Sequence, residues 1–249
     1  MAPRGTLTLL ASLVVATALL PAAASAETHT FLNSTNLGPP GGAGTAGPAN
    51  EYPSSIVVSD VSGTVTKASV TVLDLDSASG DDIDMAMTGP NGQTVMLMSD
   101  SCGENPNTLA NEDWTFDDAA PTFLSDNGPC APNQTASFQP SNFGGDPLLD
   151  DMNVPPLGAA NAPAPPYLNK LSFLAGGTPN GRWDLFVRDD NAVGYVCFSI
   201  SAWALTLDVQ PPATQANNPP ASPSAPAKKC KKKGKKAALA KKCKKKKRK

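Results

Sequence analysis

The chain has 249 residues, a formal net charge of −2 and a single histidine, His29. One histidine excludes multi-histidine zinc centres and leaves no second imidazole to act as a general base. The near-neutral balance conceals a division, because 15 of the 20 basic residues fall in the last 22 positions and all 22 acidic residues precede them.

Arg4 stands ahead of an apolar run from Leu7 to Leu20, followed by Pro21 and the small residues Ala24-Ser25-Ala26. A charged start, an apolar middle and a small-residue end in that order predict a secretory signal peptide over residues 1–26, processed at Ala26/Glu27. The apolar run falls short of the roughly 20 residues of a membrane-spanning helix. The expected product is therefore secreted, with retention at the cell envelope left to other features.

Residues 27–51 hold one short strand candidate, His29 to Asn33, and a Gly/Pro-rich loop at Gly38-Pro39-Pro40-Gly41-Gly42. From Tyr52 the texture changes. Ile56 to Val58, Val65 to Leu75, Ile83 to Met87, Thr94 to Met98, Trp114 to Phe116, Thr135 to Phe138, Trp183 to Val187 and Tyr195 to Val209 are β-rich runs. Gly, Pro, Asn and Asp clusters separate them. Alternation puts Ala68, Val70 and Val72 on one face, and likewise Ile83, Met85 and Met87, and Trp183, Leu185 and Val187. Each strand is expected to keep one wet face.

No segment before the C-terminal tail carries ten residues of helical apolar spacing. Eight or nine short strands predict an all-β chain, a jelly-roll-like antiparallel β-sandwich over residues 52–209. The Pro-rich stretch from Pro140 to Pro166 is expected to cross the surface irregularly. Residues 210–227 form a Pro/Ala/Ser linker, and residues 228–249 a disordered polybasic tail.

Two groups of residues resemble a known family. Gly80-Asp81-Asp82-Ile83-Asp84-Met85-Ala86-Met87-Thr88-Gly89-Pro90-Asn91-Gly92 is similar to the G-D-L-x-I-x-L-x-S-P-x-G-T stretch of the P/Homo B domain. Gly181-Arg182-Trp183-Asp184-Leu185-Phe186-Val187-Arg188-Asp189 and Trp203-Ala204-Leu205 are similar to its G-x-W-x-L-x-V-x-D and W-x-L signatures. That domain follows the catalytic unit of subtilisin-like proprotein convertases. The resemblance implies a jelly-roll sandwich that supports a protease and contributes no catalytic residue. Independently, Gly89-Pro90-Asn91-Gly92 has the chemistry of a hairpin turn.

No catalytic residue is assigned. A Ser-His-Asp triad needs a histidine beside a nucleophile, and His29 lies next to the expected mature end with no Gly-Thr-Ser context anywhere. The chain is expected not to be an enzyme. For a cofactor, calcium is the candidate: Asp74, Asp76, Asp81, Asp82 and Asp84 cluster near one strand end, and Asp189 and Asp190 end another strand. Hard carboxylate oxygens suit that ion.

In an exported chain disulfides persist. Cys102 and Cys130, in Gly/Pro/Asn-rich loops flanking the Trp114 strand, are the expected pair, with a pairing to Cys197 as the alternative. Cys230 and Cys243 belong to the tail.

Without Arg4 and the tail, the body keeps Lys67, Lys170, Arg182 and Arg188 against 22 carboxylates, a formal charge of −18. The Lys-rich tail is expected to attract anionic envelope polymers or phospholipid. No aromatic side chain is interleaved for base stacking, so no specific nucleic acid is expected. The expected function is a secreted or envelope-associated, non-catalytic binding or structural module. The alternative is an accessory to a subtilisin-like serine endopeptidase supplied by another chain.

Overall fold

The computed structural model describes residues 25–39, 47–103, 108–130, 135–144, 152, 163–190 and 198–213. The linker from residue 214 onward, the tail, the signal segment up to residue 24, and Cys197, Cys230 and Cys243 lie outside the described residues, while Gln210, expected to open the linker, ends the last strand.

The described strands are β1 (Glu27–Asn33), β2 (Gly47–Pro48), β3 (Ser54–Val58), β4 (Thr64–Ser77), β5 (Ile83–Thr88), β6 (Thr94–Ser99) and β7 (Leu109–Phe116), then β8 (Thr122–Phe123), β9 (Thr135–Gln139), β10 (Ser141–Asn142), β11 (Gly181–Asp189), β12 (Phe198–Ser199) and β13 (Ala202–Gln210). One sheet runs β1-β13-β4-β7-β9-β8, with β12 also on β4. The second runs β10-β6-β5-β11-β2, with β3 also on β11. The chain is an all-β sandwich. The three alternating sets named from the sequence all lie in the main core, with Ala68, Val70 and Val72 facing Ile83, Met85, Met87, Trp183, Leu185 and Val187.

Three buried tryptophans anchor that core, and each indole N–H has an acceptor. Trp203 donates to Ser54 Oγ at 3.0 Å, Trp183 to the Pro179 carbonyl at 3.0 Å, and Trp114 to Glu112 Oε2 at 3.2 Å. A buried donor left without a partner costs about 1–3 kcal/mol, so these bonds let large rings fill the interior at no polar penalty. The hairpin at Gly89-Pro90-Asn91-Gly92 joins β5 to β6: Gly92 takes φ +75° and its N–H donates to the Gly89 carbonyl at 2.9 Å.

Several expectations give way. β5 and β6 have no wet face, and β11 loses its own from Leu185 onward, where every side chain is buried. Their outer face is covered by a second cluster in which Met152, Tyr167 and Tyr52 pack on Ala86, Met96 and Phe186. The Pro-rich stretch thus contributes cover as well as surface: Met152 is fully buried, and Ser141–Asn142 forms β10 beside β6. β1 pairs along its whole length with β13, so the sandwich begins at Glu27 rather than at Tyr52. The expected last strand is divided at Ile200–Ser201 into β12 and β13.

Most pairings are antiparallel, but β7 with β9, β8 with β9, and β6 with β10 are parallel. These lie where the chain leaves β9, passes Pro140 and enters β10, changing sheets within three residues. Cys102 and Cys130 are disulfide-bonded, with Cα atoms 4.9 Å apart.

Candidate functional site

The seven aspartates expected to form a cation site are divided between the two sheets. Asp74 and Asp76 belong to β4, where they have backbone duties. Asp74 takes φ +50° at a bulge that slips the β4–β7 register between Val72 and Leu75, a conformation aspartate tolerates better than most residues. The slip keeps both Val72 and Leu75 in the core. The Asp74 N–H donates to Asp113 Oδ1 at 3.1 Å, and Asp76 Oδ1 accepts from the Asn111 N–H at 3.0 Å.

The remaining carboxylates belong to the second sheet. Asp81 and Asp82 form the turn into β5, and the Asp190 N–H donates to the Asp82 carbonyl at 3.0 Å. Asp84 faces away from the main core, as alternation predicts, yet it is only 2% exposed. Its Oδ1 accepts from Ser99 Oγ at 2.7 Å. The residue directly opposite it in the β5–β11 ladder is Arg188, itself 3% exposed. Asp189 alternates to the core side opposite Ile83. Among the described residues, no three His, Cys, Asp or Glu side chains are placed to hold a metal ion. Arg188 stands opposite Asp84 in the β5–β11 register, so a cationic residue already occupies the sheet position facing that carboxylate.

Arg188 is the residue that sequence reasoning missed. It falls at an unspecified position of the G-x-W-x-L-x-V-x-D pattern, and the signal available was its place on the outward face with Asp184 and Phe186. Above the Asp84–Arg188 level lies Tyr52, whose hydroxyl donates to the Met152 carbonyl at 3.2 Å and whose ring meets Phe186 edge-on at 5.1 Å between centroids. Burial raises the Tyr52 phenol well above its ordinary pKa. Arg188 opposes that shift, while Tyr167 and Asp84 add to it.

The sign of the linkage is clear. A phenol that holds its proton more tightly when folded stabilises the fold fully below its unfolded pKa of about 10 and ceases to do so as pH rises further. The urea midpoint is expected to fall from about pH 10 upward, and less steeply in Y52F. Equal slopes in the two proteins would assign the alkaline loss to another group.

A second feature is a groove of about 720 Å³ at the corner where the chain changes sheets. On one side are Phe123, Gln139 and Asn142, and on the other Leu168, Lys170 and Phe173. Asp118 secures the second wall, its two carboxylate oxygens accepting from the Leu171 and Ser172 N–H groups at 2.8 and 2.9 Å. Leu168 is held to β6 by backbone bonds to Thr94 and Met96, both 2.9 Å. Phe123 and Phe173 are 57% and 48% exposed, two of the four large apolar side chains left open to solvent among the described residues. His29 is far from this chemistry in sequence and in sheet: it sits in β1, its Nε2 3.8 Å from Glu27 Oε2 and its ring stacked toward Phe31.

No protein-family model and no curated protein matches the chain. Among solved structures, the serine protease of Aeromonas sobria is similar over 76% of this chain and 28% of that one, with 12% identity and a TM-score of 0.33. The complex of that protease with its chaperone gives 14% identity and a TM-score of 0.34, over 75% of this chain and 28% of that one. The chain thus spans less than a third of the length of the structures it resembles.

Proposed function

We propose that this protein is a secreted, envelope-associated, non-catalytic β-sandwich module of P/Homo B type that works by binding. The observation that carries the reading is the groove between Phe123 and Phe173, a concave, partly apolar surface on a rigid sheet corner. Such surfaces are the ordinary form of a recognition site. The buried polar side chains around it support the fold instead of assembling a nucleophile and base. The Lys-rich tail supplies retention on anionic polymer or phospholipid.

The test is co-sedimentation of the purified protein with isolated cell envelope. We expect binding that raised salt releases and that deletion of residues 228–249 abolishes. A tail-deleted protein that sediments as well as the full chain would refute retention by charge. A chelator arm bears on calcium. With Arg188 opposite Asp84 in the sheet, the melting temperature is expected to be the same in chelator and in millimolar calcium. A rise with calcium would restore a metal site at Asp82, Asp84, Asp189 and Asp190.

A second reading rests on the Gly181–Asp189 signature, in which the module supports a subtilisin-like endopeptidase supplied by another polypeptide. It predicts that a secreted protease co-purifies with the module and loses heat resistance when the module is removed.

A further inference from the structure

We infer that the groove binds an extended peptide that lays a strand along β8 and presents an apolar side chain next to a carboxylate. This specifies the ligand of the binding-module reading and rests on it.

Three observations select that chemistry. First, β8 ends its sheet: it pairs with β9 on one side, and among the described residues no strand pairs on the other. A free strand edge offers backbone donors and acceptors to a peptide in extended form. Second, Phe123 of β8 and Phe173 across the groove provide two exposed rings for an apolar side chain.

Third, among the described residues the charges leave one exposed cation, Lys170, without an ion pair. Lys67 is bound to Asp117 at 2.6 Å, Arg182 to Asp184 at 2.6 Å, and Arg188 is buried. Lys170, on the groove wall, is exposed and has no ion pair among the described residues. In a body carrying −18, a lysine left open beside two exposed phenylalanines marks the position for a ligand carboxylate.

Three polar side chains of the groove, Asp118, Gln139 and Ser141, are already taken up by the protein's own backbone, which leaves fewer of them for the hydroxyl groups of a sugar. Recognition of hydroxyl groups needs carboxylates and amides free to receive them. Here Asp118 is taken by two backbone N–H groups, Gln139 Nε2 donates to the Ala120 carbonyl at 2.8 Å, and Ser141 Oγ bonds the Gln139 carbonyl at 2.9 Å.

The probe is an N-terminally fluorescein-labelled, amidated hexapeptide of valine and threonine in which Phe and Glu stand two positions apart, so that both face the groove, compared with a twin carrying Lys in place of Glu. Binding to the full chain is followed by fluorescence anisotropy. We expect the wild type to prefer the glutamate peptide by about tenfold, K170E to reverse the preference, and F123S/F173S to weaken both by about tenfold or more without lowering the melting temperature. Because all three side chains are exposed, the variants keep the fold.

Equal binding of the twins, an unchanged preference in K170E, or no saturable binding of either would overturn the inference. Binding of chitotetraose that disappears in F123S/F173S, with neither peptide bound, would assign the groove to glycan instead. A wild type that ignores both peptides yet still sediments with envelope loses only the peptide assignment. One that does neither loses the module reading too.

Discussion

Truncating Asp84 to alanine is expected to destabilise the protein by about 3–5 kcal/mol, far more than an exposed aspartate would cost, because it leaves the Arg188 charge buried without its neighbour. The two residues stand opposite one another in the β5–β11 register, both are buried, and Met152, Tyr167 and Phe186 belong to the cluster on that face. R188A is expected to cost a similar amount, since Asp84 would then be a buried carboxylate opposite no cation. Replacing both by apolar side chains of matching volume, as in D84L/R188M, is expected to cost much less than either truncation, because neither charge then has to leave water. Urea denaturation of these four proteins and of D84A/R188A, which closes the cycle, measures the coupling. A D84A cost below about 1 kcal/mol, or strict additivity, would show that the two charges do not depend on one another.

Removing the Cys102–Cys130 bond is the second large effect. It closes a loop with a sequence separation of 28 residues. On the chain-entropy account, opening it in C102A/C130A costs about 3.5 kcal/mol, or a melting-temperature drop of roughly 10 °C for a domain of this size. The native side has its own stake: the Cys102 N–H donates to the Ser125 carbonyl at 2.7 Å, and Gly80 approaches so closely that a Cβ there would lie 2.6 Å from Cys102 Cβ. Calorimetry checks the size of the drop, and a shift under about 3 °C would mean that the folded chain is held at this point by packing alone. The bridged loop contains β7 and β8, so the reduced protein should also lose groove binding at temperatures where the oxidised protein retains it.

Much of the fold was legible because its signals are local. Period-two apolar patterning in Ala68 to Val72 and in Trp183 to Val187 needs only the chain itself, as does the turn chemistry of Gly89-Pro90-Asn91-Gly92. The two-residue strands β2, β8 and β10 were not visible, since two residues carry no period and exist as strands only through their partners. The buried outer face was hidden for a related reason: Asp84 and Arg188 look like ordinary solvent-facing polar residues until Met152 and Tyr167 are folded over them. The acidic cluster misled because closeness in sequence, from Asp74 to Asp84, spans the passage from one sheet to the other. The groove is assembled from segments around residues 118–123, 139–143 and 167–173, and no pattern within any of them announces the others.

The pairing of β1 with β13 sets an order on the making of this molecule. Each bond between them joins residues about 180 positions apart, as Thr28 and Asp208 do through a 2.6 Å hydrogen bond, so the larger sheet cannot finish until almost the whole body has been synthesised. Contacts of such long range form slowly. A polypeptide with this topology holds β1 without its neighbour until its last strand has emerged, and the larger sheet gains this edge only when β13 arrives between β1 and β4.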